Sequence, residues 1–85
     1  MSNKNKMSIE DKIKQIISER LEIKKEEIKL ESKLRDDLGI DSFGFVELIF
    51  EIKDKFGITI PDQDFTSILK VKDAVNYLYN KIKEG

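Results

Sequence analysis

The chain has no cysteine and no histidine. Without cysteine there is no disulfide framework, no thiolate metal site and no sulfur nucleophile. Without histidine there is no usual general base, no commonest zinc ligand and no Ser-His-Asp triad. Proline occurs once and glycine four times, too few for a low-complexity or extended chain. No apolar run approaches the ~18–20 residues that span a bilayer. The polar, lysine-containing start also lacks the apolar core of a signal peptide. The expected compartment is therefore the cytosol, with no membrane span. Neither sign of charge prevails. The 16 basic residues face 17 acidic ones for a net charge of −1, which predicts no field strong enough for nucleic acid.

What is present fits one small domain. With 85 residues there is no room for a second core. The charges are unevenly spread. Residues 41–65 hold two basic and six acidic residues, whereas residues 1–30 and residues 66–85 each carry a net charge of +2. The acidic excess therefore lies in the middle of the chain.

Residues 1–7 are polar and show no periodicity, and read as a flexible leader ahead of a domain at 8–85. Ser8 followed by Asp11 resembles a capping box. Ile9, Ile13, Ile16, Ile17 and Leu21 then recur at helical spacing. Between residues 22 and 40, Ile23, Ile28, Leu30, Leu34, Leu38 and Ile40 fit no single period. This predicts a long ordered loop pinned by apolar anchors, and loops of that length in small domains are commonly functional. Gly39 suits a left-handed turn.

The spacing predicts a second helix from Ser42 to Phe56, opened by two good capping types, Asp41 and Ser42, and stopped by Gly57. Phe45, Leu48, Ile49, Ile52 and Phe56 form its core stripe. Phe43, Val46 and Phe50 form a second apolar line, bordered by Glu47, Glu51 and Asp54, so the apolar arc is wider than a surface helix needs. Pro61 suits the start of a short helix, with Asp62 and Asp64 in its first turn. Phe65, Ile68 and Leu69 are expected to pack inward. A last helix over residues 72–83 follows from Val71, Ala74, Val75, Leu78 and Ile82, with Lys81 and Lys83 suited to its C-terminal end. The fold class is all-α: three main helices and one short one, with the long loop between the first two.

Ser42 stands at the start of the most apolar helix, beside free backbone N–H groups and the positive end of the helix dipole. A phosphate attached there would be favoured, and a plain helix cap is the alternative. Phe43 and Phe50 read either as core residues under the long loop or as anchors of a docking strip with an acidic rim. Asp36, Asp37 and Asp41 lack the ligand alternation of a calcium loop and read as a solvated turn, so no metal site is expected. The many lysines are interleaved with acids, which argues against nucleic acid. Tyr77 and Tyr79 are expected to pack rather than to stack on bases.

The string Leu38-Gly39-Ile40-Asp41-Ser42-Phe43, continued by Val46-Glu47-Leu48, resembles the prosthetic-group motif of acyl carrier proteins. Matches continue through Ile52, Phe56, Ile60-Pro61-Asp62, Asp64, Ile68, Val71, Asp73-Ala74-Val75 and Tyr77-Leu78. The resemblance spans residues 9–82. It implies an acyl-carrier four-helix bundle over residues 8–85 and a carrier rather than an enzyme. It implies covalent 4′-phosphopantetheine, moved from coenzyme A onto Ser42 by a phosphopantetheinyl transferase that reads Asp41. The arm brings its own thiol, in keeping with a chain that has no cysteine. The second helix would be the docking surface, with Phe43, Val46, Glu47, Phe50, Glu51 and Asp54 meeting activating ligases, synthases and acyltransferases. The expected protein is a monomer.

Departures from the family pattern narrow the expectation. Gly44 replaces a common acidic residue, Phe45 a smaller one and Lys70 a common threonine cap, while Lys53 and Lys55 interrupt an acidic stretch. With a near-zero net charge, these point to a specialised lipid, polyketide or related pathway rather than to the main fatty-acid carrier. The Asp-Ser-Phe-Gly string also resembles D-alanyl carriers, so an aminoacyl or D-alanyl cargo is an alternative. The absence of a Gly-Gly pair before Ser42 disfavours a typical peptidyl carrier. An unmodified helical interaction module is the alternative of another class.

Overall fold

The computed structural model describes residues 6–84, with side chains through Ile82. It contains three α-helices, α1 (Lys6–Leu21), α2 (Ser42–Phe56) and α3 (Val71–Glu84). Two 3₁₀ segments, η1 (Lys25–Glu27) and η2 (Asp62–Ser67), complete the elements, and η2 is the expected short fourth helix. No strand occurs among the described residues; Lys33 and Lys70 form an isolated antiparallel bridge. The all-α bundle expected from the sequence is what the chain forms.

The apolar stripes build one core. Ile9, Ile13, Ile16 and Ile17 of α1 are buried against Phe45, Leu48, Ile49 and Ile52 of α2 and against Val71, Ala74, Val75 and Leu78 of α3. Phe56 and Ile82 are only partly buried at its edge. α1 begins at Lys6 rather than at Ser8. Lys6 Nζ lies 5.6 Å from the centre of the Tyr79 ring, which holds the first turn onto α3. Ser8 is therefore inside the helix, and Asp11 pairs with Lys25 at 2.7 Å instead of completing a capping box. The rest of the expected leader, residues 1–5, lies outside the described residues. So does the Lys83 side chain; Lys81 stacks over Tyr77.

α1 ends with Glu22 in the left-handed region (φ 58°), and Ile23 N–H donates to Ser18 O at 3.1 Å. That 6→1 bond is the Schellman closure, made here without its usual glycine. The segment from Glu22 to Asp41 is ordered, as expected of anchored irregular chain. Ile28, Leu34 and Ile40 are buried and Ile23 and Leu38 partly so, but Leu30 is 37% exposed and anchors nothing. Backbone bonds fix the segment to the start of α3. Leu34 N–H donates to Leu69 O (2.9 Å), Val71 N–H to Ser32 O (3.0 Å) and Lys72 N–H to Leu30 O (2.9 Å).

At the head of α3, Lys70 has no oxygen with which to cap. The Asp73 carboxylate reaches back instead and accepts the N–H groups of Leu69 (3.0 Å) and Lys70 (2.9 Å). This is the return half of a capping box. The Leu69 side chain is 62% exposed rather than packed inward. Tyr77 Oη donates to Asp64 Oδ2 at 2.6 Å and ties η2 to α3. Burial, and then the bond to this carboxylate, push the Tyr77 hydroxyl up to about 12.

Candidate functional site

Asp41 and Ser42 divide the work at the start of α2. Asp41 is extended (φ −80°, ψ −179°) and is the N-cap; its Oδ1 accepts from Gly44 N–H at 2.7 Å. Ser42 is the first residue inside the helix, and its side chain is not the cap. The capping alternative for Ser42 is thereby corrected, because its neighbour has taken the role. Gly44 leaves room for this close cap. A Cβ there would sit 3.0 Å from Asp41 Oδ1 and 3.4 Å from Ile40 Cγ2.

Ser42 is exposed, and its hydroxyl accepts a 2.6 Å hydrogen bond from Arg35 Nη2. Arg35 is held by its own backbone. Gly39, at φ 72°, closes the turn and donates its N–H to Arg35 O at 3.1 Å. Ile40 N–H donates to Leu34 O at 3.0 Å. Asp37 Oδ2 accepts Lys33 N–H at 2.8 Å, so its carboxylate serves the loop backbone. Among the described residues, no group of three or more acidic side chains is arranged to hold a metal ion.

A groove of about 670 Å³ opens beside Ser42, between α2, the loop and η2. Leu34, Phe45, Val46, Phe65, Ile68 and Leu69 line it, with Lys33, Arg35 and Lys70 at its polar margin. Phe45 is 8% exposed and meets Phe65 edge-on, with ring centroids 5.9 Å apart at 81°. Phe45, where the family pattern has a smaller residue, thus helps form this groove's wall. A solvent-facing hydroxyl, a cation at its oxygen and an adjoining apolar groove together fit a phosphate-linked arm with a mixed polar and apolar body.

The outer face of α2 carries the second apolar line. Phe43 is 74% and Phe50 57% exposed, which corrects the alternative that placed them in the core. Both side chains point away from the bundle because the inner stripe is already filled by Phe45, Leu48, Ile49 and Ile52. Lys53 stacks over Phe50 at 5.2 Å. Val46 is partly buried and faces the groove. The acidic rim differs from expectation. Arg20 of α1 donates to Glu47 at 3.0 Å and to Glu51 at 3.3 Å, so two of its carboxylates are already paired. Asp54 is exposed further along the helix.

The two arginines were not among the residues singled out from the sequence, yet both reach α2. Their rarity was the available signal, since the other 14 basic residues are lysine. Elsewhere Lys72 and Lys70 hold the Glu31 carboxyl below its usual range through 3.0 and 3.1 Å contacts. No helix among the described residues is long and apolar enough to cross a membrane.

Known proteins resemble this chain over most of its length. The family model described as "Phosphopantetheine attachment site" matches residues 11–78. An acyl carrier protein of Nitratidesulfovibrio vulgaris is 47% identical over 75 residues, covering 88% of this chain and 99% of that protein. One from Chloroherpeton thalassium is 47% identical over 75 residues, covering 88% of this chain and 94% of that protein. One from Campylobacter lari is 40% identical over 74 residues, covering 87% of this chain and 96% of that protein.

Proposed function

This chain belongs to the acyl carrier proteins, which carry covalent 4′-phosphopantetheine and are not enzymes, and on that premise we propose that Ser42 is the attachment residue. The observation that carries the proposal is the Ser42 hydroxyl. It lies exposed at the first turn of α2, released from capping by Asp41, at the mouth of an apolar groove. In the attachment step the hydroxyl oxygen forms a new bond to phosphorus. Its proton leaves, and the nucleotide part of coenzyme A departs with the old phosphate–phosphate oxygen. The arm's thiol then holds cargo as a thioester, chemistry the chain cannot supply itself.

The chain's own residues position and present. Asp41 fixes the helix start and forms part of the surface that a phosphopantetheinyl transferase reads. Phe43, Val46 and Phe50 anchor partner enzymes, with Glu47, Glu51 and Asp54 steering them. Leu34, Phe45 and Phe65 give the groove an apolar lining that favours an acyl cargo over an aminoacyl one. The protein works as a cytoplasmic monomer that meets an activating ligase, synthases and acyltransferases in a specialised lipid or polyketide pathway.

The test is mass spectrometry after incubation with coenzyme A and a broad-specificity transferase. The wild-type chain gains the mass of one arm, and peptide mapping finds it on Ser42. Ser42→Ala gains nothing. An unmodified wild type, or a gain that persists in Ser42→Ala, rejects the assignment. Loading by aminoacyl ligases and not by acyl ligases rejects the cargo.

A further inference from the structure

We infer that Arg35 is the positioning residue for the phosphate that Ser42 receives: the guanidinium that touches the serine oxygen pairs with the arm's phosphodiester. The inference rests on Ser42 being the attachment residue and adds a role for a second side chain.

Three features of the site lead to it. The first is contact. Arg35 Nη2 lies 2.6 Å from Ser42 Oγ, the atom that becomes bonded to phosphorus. Once esterified, that oxygen has lost its proton and most of its basicity. The negative charge then sits on the two non-bridging oxygens, one phosphorus atom away. A guanidinium already at Oγ meets that anion by a small rotation, and its fork offers parallel N–H donors suited to two phosphate oxygens.

The second feature is the charge of the surroundings. Asp36 and Asp41 flank the site and oppose the favourable end of the helix dipole, so a phosphodiester beside them gains from a nearby cation. The other cations at the groove margin are Lys33 and Lys70, of which Lys70 is drawn to Glu31 at 3.1 Å; Arg35 is the one bonded to Ser42 Oγ. The third feature is preorganisation. Leu34 is buried and bonded to Leu69 O, and Arg35 O accepts from Gly39, so the backbone that carries the guanidinium is fixed on both sides. Pairing there sets the direction in which the arm leaves α2.

The experiment uses the full chain, loaded from coenzyme A by a broad-specificity transferase and checked by mass. The ³¹P resonance of loaded Arg35→Gln is expected to move away from the wild-type position, with Arg35→Lys between the two. Raising salt from about 0.05 M to about 1 M is expected to carry the wild-type line toward the Arg35→Gln line, because screening shortens the reach of the pair. Loading is also expected to shift the Arg35 Nε–Hε cross-peak. Lys12→Gln removes the same charge at the other end of α2, beside Phe56, and is expected to leave the ³¹P line in place. If Arg35→Gln does not fold, Arg35→Lys and the wild-type salt series decide the matter. A loaded Arg35→Gln with the wild-type ³¹P position, or a wild-type line that salt does not move, overturns the inference and leaves attachment intact. A wild-type chain without mass gain at Ser42 overturns the proposed function, and this inference with it.

Discussion

Along α2, Phe45, Leu48, Ile49 and Ile52 are buried in the core shared with α1 and α3, whereas Phe43 and Phe50 stand in solvent on the same helix. Both lines are apolar and both repeat at helical spacing. They differ in what they face. The inner line meets isoleucines and valines that exclude water. The outer line is open to solvent, with the Lys53 ammonium over Phe50 and the Arg20-paired carboxylates of Glu47 and Glu51 on the same helix. Burial of apolar area drives folding, so the inner line holds the bundle together. The outer line contributes little to folding, and two exposed aromatics beside the proposed attachment residue are the apolar surface proposed for partner contact. Hydrophobic residues on one helix can thus be sorted by what their absence would cost.

The comparison is tested most severely from the inside. Leu48→Ala is expected to lower unfolding free energy by about 2–5 kcal/mol, measured by urea denaturation, because Leu48 is 1% exposed and leaves a cavity. A loss near that size for Phe50→Ala would erase the distinction between the faces. Phe50→Ala is instead expected to slow acyl transfer from partner enzymes about tenfold, the effect of roughly 1.4 kcal/mol at an interface anchor. Its melting temperature should stay close to wild type.

Tyr77→Phe probes the edge of the inner side, where Asp64 and Phe65 are held over Phe45. Loss of the hydroxyl is expected to cost about 1 kcal/mol in urea denaturation. The hydroxyl's pKa is raised in the folded chain, so its contribution is complete below the ordinary value of 10.0. It is lost as pH rises through about 12. Tyrosine absorbance should therefore show a late-titrating phase that is absent in Tyr77→Phe. The smallest effect belongs to the outer rim. Arg20→Gln is expected to cost about 0.2–1 kcal/mol, a difference that shrinks as salt is added, since the pair is solvent-exposed.

Much of this arrangement was legible in the sequence, for reasons that differ by region. The helices were readable because their apolar residues recur at one period, and Ser42 because it sits in a long specific string. The division between Asp41 and Ser42 was not readable, since two adjacent residues of good capping type leave the choice to local geometry. Arg20 was missed because its partners lie 27 and 31 residues away. Arg35 lies only seven residues from Ser42, but in a loop without a period. By residue type alone, Leu30 and Leu69 read as anchors. Their segments are positioned by backbone bonds to each other's neighbourhood, and side-chain patterns do not encode such bonds. The fixed exit of α1 through Glu22 was likewise hidden, because glutamate is a rare choice for a left-handed turn.

The ladder that joins Leu30, Ser32 and Leu34 to residues 69–72 has one more consequence. Its three amides shield one another, so hydrogen exchange at Leu34, Val71 and Lys72 should proceed with a common opening free energy. The wall of the groove and the strand of chain bearing Arg35 belong to that same cooperative unit. Under the proposed pairing of Arg35 with the arm's phosphate, widening the cleft for a bulky passenger and loosening the guanidinium's grip would be one motion.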